Sequence, residues 1–63
     1  MRPQIIPWER VSRYIYKPDT LLVDLREKEE YEQGHITGAW NISYEELEEH
    51  LEQMNNYERV IFY

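Results

Sequence analysis

The apolar run Leu21-Leu22-Val23, closed by Asp24 and Leu25, constrains this chain more than any other feature. A strand with one wet face alternates apolar and polar residues. An uninterrupted run needs cover on both faces, as in a central strand of a parallel sheet. The chain before it fits that arrangement. Ile5-Ile6 reads as a short strand or an extended lead-in. Pro7 suits the first turn of a helix, where its missing N–H costs nothing. Trp8, Val11 and Ile15 then fall on one helical face, with Glu9 in the turn where a negative charge suits the helix dipole. Pro18 disfavours helix at Lys17 and ends the element; Lys17-Pro18-Asp19-Thr20 is a turn.

After the central run, residues 27–33 read as a short helix with Gly34 as its C-cap. Residues 35–38 form a loop and residues 39–42 a short strand. Ser43 is a good N-cap, with Glu46 three residues on as in a capping box. Tyr44, Leu47, Leu51 and Met54 recur at helical spacing and predict one inward stripe. Glu45, Glu46, Glu48, Glu49 and Glu52 occupy mostly the other, solvated face. Asn55-Asn56 is a stop signal, and residues 59–63 are β-branched and aromatic, hence a strand. Strands alternating with helices predict an α/β fold with a parallel sheet and helices packed on it.

Sixty-three residues make one domain at most, or a piece of one. A chain this short buries only about 60% of its unfolded surface, and without cysteine no disulfide can reinforce it. A metal would have to rest on His35, His50 and carboxylates without thiolates, so ordinary histidines and no metal are expected. Thirteen acidic against seven basic residues give a formal charge of −6. Affinity for nucleic acid comes from neutralising phosphates, so this balance argues against it, and equally against an anionic membrane surface. The longest apolar run, Val60-Ile61-Phe62-Tyr63, is far too short for a bilayer. Met1-Arg2-Pro3-Gln4 opens no signal-like segment. The expectation is a soluble cytoplasmic protein.

In an open parallel sheet, sites gather beyond the carboxyl ends of the strands. Asp24 and Arg26 stand at that end of the central strand, and Tyr63 at that end of the last one. Right-handed crossovers tend to set such strands side by side. Whatever follows Tyr63 would then lie near Asp24, Arg26 and His35.

One constellation adds to this reading. Asp24, Arg26, Glu30, Tyr31, Gly34, His35, Ile36, Gly38, Ala39, Asn41 and Ile42 keep the offsets of an Asp-x-Arg, a Glu-Tyr, a Gly-His-Ile-x-Gly-Ala and an Asn-Ile. This pattern resembles the rhodanese-like domains, and the order of flanking elements extends the likeness over most of the chain. Ser43 departs from it, standing where many relatives have Pro; Ser also starts a helix well. The resemblance implies a three-layer α/β/α fold with a mostly parallel sheet, of which residues 1–63 would be the N-terminal portion. It also implies a sulfurtransferase working without a cofactor. A cysteine takes a sulfane sulfur from a small anionic donor such as thiosulfate, holds it as a persulfide, and passes it to a thiol or cyanide-type acceptor. In the family the cysteine loop follows a strand like 60–63, and its backbone N–H groups cradle the sulfur anion. The nucleophile is therefore expected just after Tyr63, and residues 1–63 alone would not be an enzyme. Two alternatives share the fold: a non-catalytic partner-binding module that has lost the cysteine, and a phosphatase or arsenate reductase with a slightly longer loop.

Asp24 and Arg26 are expected to form a charged pair at the active-site rim, with Arg26 suited to an anionic donor. His35 has the chemistry of a general base, but its loop setting predicts hydrogen bonds to backbone carbonyls. Gly34 and Gly38 are assigned to backbone geometry, since glycine alone freely takes positive φ. Glu30 is expected to pair with Arg26 at helical spacing. Tyr31 and Trp40 read as core or rim aromatics, Ala39 and Asn41 as structural parts of the motif, and His50 as a solvated bystander. If the chain ends at Tyr63, its last strand would expose apolar surface and an unpaired edge, and it is expected to form a homodimer, swap elements or aggregate.

Overall fold

The computed structural model describes residues 2–15 and 17–63, apart from the side chains of Arg2 and Trp8. Four strands form one sheet: β1 (Arg2–Ile5), β2 (Thr20–Asp24), β3 (Trp40–Asn41) and β4 (Arg59–Phe62). Their spatial order is β1-β4-β2-β3, and each pairing is parallel. Three helices connect them: α1 (Trp8–Val11), α2 (Lys28–Gln33) and α3 (Leu51–Met54). A 3-10 turn over Ser12–Tyr14 continues α1, and a 3-10 segment over Tyr44–His50 leads into α3.

The unbroken apolar run of β2 has the role its composition implies. Successive side chains of a strand point to opposite faces. Leu21 and Val23 join Val60, Ile42 and Met54 in one buried cluster, while Leu22 joins Ile61, Val11 and Ala39 in another. The segment ending in α3 covers the first face through Leu47 and Met54. The stretch holding α1, with Ile36, covers the second. This gives the layered α/β architecture, centred on β2 and β4. Among the described residues, no helix is long and apolar enough to cross a membrane.

Three expectations about the elements are corrected. First, the last strand is not an edge, because β4 pairs with β1 on one side and β2 on the other. Among the described residues the edges are β1, which carries Pro3, and the two-residue β3. Proline and short length both blunt an edge against further pairing. Second, the stripe Trp8, Val11, Ile15 does not lie on one continuous helix. Val11 is fully buried, but Ile15 has an extended backbone with ψ 134°. The inward placement of Trp8 falls outside the described side chains.

Third, the stripe over 44–54 is broken. Leu47 and Met54 pack on the core, yet Tyr44 is 67% exposed and Leu51 44%. The 3-10 segment supplies the reason. With 3.0 residues per turn instead of 3.6 the inward phase advances early, so His50 and not Leu51 follows Leu47 inward. His50 is half-buried, its ring edge-on to Trp40 at 6.4 Å, and is no bystander. The capping box is altered in the same way. The Glu46 N–H donates to the backbone carbonyl of Ser43 at 3.0 Å, and the Ser43 hydroxyl turns to the Glu46 carboxylate at 3.1 Å.

The broken stripe makes a direct prediction. Met54→Ala should cost about 2–5 kcal/mol, the usual range for truncating a buried side chain. Leu51→Ala should cost less than about 1 kcal/mol. Urea denaturation of the two variants checks this; equal losses would restore the uninterrupted α-helical stripe.

Candidate functional site

The site begins where β2 ends. Asp24 is fully buried, and a buried carboxylate is tolerated only when paired and hydrogen-bonded. Its Oδ1 accepts the backbone N–H of Arg26 at 2.9 Å and Nε at 3.0 Å. Its Oδ2 accepts Nε at 3.1 Å and Nη2 at 2.8 Å. Two residues of separation suffice because the chain turns after Asp24 and lets the guanidinium fold back over it. Nη2 also donates to the carbonyl of Gly34 at 2.6 Å. These bonds with Asp24 raise the Arg26 pKa further above its ordinary value, so the side chain is a permanent cation. Nη1 has no hydrogen-bond partner among the described residues.

The expected Arg26–Glu30 ion pair is not formed, because the guanidinium turns back to Asp24. The i,i+4 pair on α2 is Lys28–Glu32 instead, at 3.9 Å on the surface. Gly34 closes α2 as its C-cap, its N–H donating to the Tyr31 carbonyl at 3.2 Å. The expectation of positive φ is corrected, since its φ of 167° is extended backbone open to any residue, and its carbonyl accepts Nη2. Gly38 has φ 85°, where a side chain would be strained.

The loop between α2 and β3 is braced by Tyr31 and His35. The two rings stack at 3.7 Å, 14° from parallel. His35 Nδ1 donates to the Tyr31 carbonyl at 2.8 Å, which places the ring proton on Nδ1 since a carbonyl only accepts. The Tyr31 hydroxyl donates to the Ala39 carbonyl at 2.7 Å. The His35 side chain is exposed and lines neither cavity described below.

β4 delivers Tyr63 to the same place. Its N–H donates to the Val23 carbonyl at 3.0 Å, and its own carbonyl accepts the Leu25 N–H at 2.8 Å. The ends of β1, β4 and β2 thus border a cavity of about 400 Å³ lined by Ile5, Ile6, Arg26 and Tyr63. Arg26 also lines a second cavity of about 690 Å³, where Tyr31, Asn41 and the exposed Tyr44 meet the glutamates of α2 and of the 3-10 segment. Asp24, Arg26, Gly34, Asn41 and Tyr63 are therefore brought together; Glu30 acts on Arg26 through its charge without an ion pair, and the His35 ring lines neither cavity. Ile5 and Ile6 were legible only as a short strand or an extended lead-in. The rule that sites lie at carboxyl ends of parallel strands would have found them, had β1 been recognised as a neighbour of β4.

Two predictions come from this geometry. Asp24→Ala removes the acceptor of the whole Arg26 turn and should cost about 2–3 kcal/mol, the scale of charge-assisted hydrogen bonds. Chemical denaturation measures it. Burial, then the Asp24 charge, raise the Tyr63 phenol above the ordinary tyrosine value. The unfolded chain therefore loses this proton first as pH rises. The folded state then holds the extra proton, and stability falls from the ordinary tyrosine range upward. Tyr63→Phe should make the stability curve shallower above about pH 10, and an unchanged alkaline slope would refute the assignment.

A family model described as a rhodanese-like domain matches residues 8–63, all but the first seven positions. No curated protein and no solved structure matches the chain.

Proposed function

This chain belongs to the rhodanese-like domain family, and from that premise we propose that it is part of a sulfurtransferase. The reaction moves a sulfane sulfur from a small anionic donor such as thiosulfate to a thiol or cyanide through a cysteine persulfide. The observation that carries this reading is the side-by-side, parallel pairing of β2 and β4. A residue following Tyr63 leaves the sheet beside Asp24 and Arg26, at the border of the cavity those strands share.

In this reading a cysteine thiolate after Tyr63 attacks the outer sulfur of the donor. The donor S–S bond breaks, and sulfite departs with the electron pair. The acceptor then attacks the outer persulfide sulfur, and the thiolate returns. Sulfur passes between nucleophiles without an external oxidant, so no cofactor is required. Arg26 holds the oxyanion end of the donor through Nη1, because its other nitrogens are engaged by Asp24 and Gly34. Asp24 does not react; it orients the guanidinium. His35 and Tyr31 brace the loop that carries the Gly34 carbonyl. The same reading assigns the protein to the cytoplasm, where a thiolate stays reduced.

The alternative is a non-catalytic partner-binding module of the same fold. The residue after Tyr63 separates the two. Cysteine supports the enzyme, while Asp, Ser or Gly supports the module.

The test is thiocyanate formation from thiosulfate and cyanide by the full-length protein. Arg26→Lys keeps the charge but loses the planar fork, and should raise the thiosulfate KM about tenfold with kcat little changed. Donor-treated protein should gain about 32 Da, one persulfide sulfur, removable by cyanide. A cysteine-bearing protein showing neither turnover nor adduct would sink the proposal. Hydrolysis of a phosphate monoester in their place would assign a phosphatase.

A further inference from the structure

We propose that Asn41 is the positioning residue of this site, the group that sets where the Arg26 guanidinium points. The inference rests on the reading of Arg26 as the donor-binding cation. Asn41 closes the short strand β3, in register with Asp24 across the β2–β3 pair. Its Nδ2 donates to the Asp24 carbonyl at 3.1 Å and to the Arg26 carbonyl at 2.9 Å. Both partners are carbonyls, so the amide nitrogen has to be the atom that faces them.

The Asp24 carbonyl also accepts the Ile42 N–H at 3.2 Å, and the Leu25 N–H is held by the Tyr63 carbonyl; the Asn41 amide adds the Arg26 carbonyl and so ties the far end of the turn to β3. With both carbonyls drawn toward β3, the Arg26 N–H is left directed at Asp24 Oδ1, where it is found at 2.9 Å. That contact starts the Arg26 side chain on the path that brings Nε and Nη2 onto the same carboxylate. Gly34 takes the remaining Nη2 hydrogen. The guanidinium is then held on two edges, with Nη1 the nitrogen left for a ligand. Asn41 touches neither the carboxylate nor the guanidinium in this chain of contacts; it acts through the backbone.

Aspartate at position 41 has nearly the same shape but no donor, and it would set a carboxylate against two carbonyl oxygens. Asn41→Asp and Asn41→Ala in the full-length protein are therefore the test, with Met54→Ala as a destabilised control that lines no cavity. Both Asn41 variants should move the Arg26 Nε–H resonance in ¹H–¹⁵N spectra toward that of a solvent-exposed arginine. Both should raise the thiosulfate KM about tenfold, the order expected when a binding group loses its orientation, with kcat within about twofold. Met54→Ala should move neither. An unchanged Nε–H resonance in the Asn41 variants, or a fall in activity shared equally with Met54→Ala, overturns the proposal and leaves Asn41 a structural residue. A displaced resonance without a KM change, together with an unchanged KM in Arg26→Lys, upholds the positioning role and overturns the reading of Arg26.

Discussion

The parallel pairing of β2 with β4 is the contact on which the rest of the structure depends. Its register sets Leu21 against Val60 and Val23 against Phe62, and the ladder continues past both strands to Leu25 and Tyr63. Two central strands with apolar side chains on both faces need two covering layers. That requirement explains why so short a chain builds two buried clusters instead of one. The same pairing brings the ends of β2 and β4 level, which creates the site. Had these strands been separated by another, Tyr63 and Asp24 would stand too far apart to share it.

The Asp24–Arg26 pair has a structural and a chemical side that cannot be separated. Burying a carboxylate costs more than its Coulombic attraction returns unless every lone pair finds a donor. Here the backbone N–H, Nε and Nη2 of one arginine provide them. The arginine is thereby largely consumed by its own fold, and a ligand meets a fixed edge in place of a mobile charge. This matters in a chain of formal charge −6, whose overall field repels anions. At physiological salt that field is screened beyond about 8 Å, so an anionic donor would be held by local hydrogen bonds, not by net charge.

The strands were legible because their signals are local. β2 showed as an apolar run and β4 as a β-branched, aromatic one, and each lies within a residue of where pattern reading puts it. The Asp24–Arg26 pair was legible as two charges at a strand end. Other features were not. Helical periodicity presumes 3.6 residues per turn, so it misplaced Leu51 and His50 once Tyr44–His50 formed a 3-10 segment. Helical spacing offered Glu30 to Arg26, but Arg26 lies before α2 begins at Lys28. Gly34 was legible as the C-cap of α2, but not as the carbonyl that a side chain eight positions earlier reaches.

The sequence by itself determined the class of fold and the family, through apolar runs, turn residues and a motif whose offsets survive without coordinates. Both are carried by neighbours along the chain, and the backbone periods translate them directly. Tertiary structure alone decided that β4 is internal and β1 an edge. It alone set the Gly34 carbonyl on Nη2 and suspended the turn after Asp24 from the amide of Asn41, 17 residues away. Those outcomes depend on which strand lies beside which, a choice made by burying two apolar faces at once and written in no local stretch of sequence.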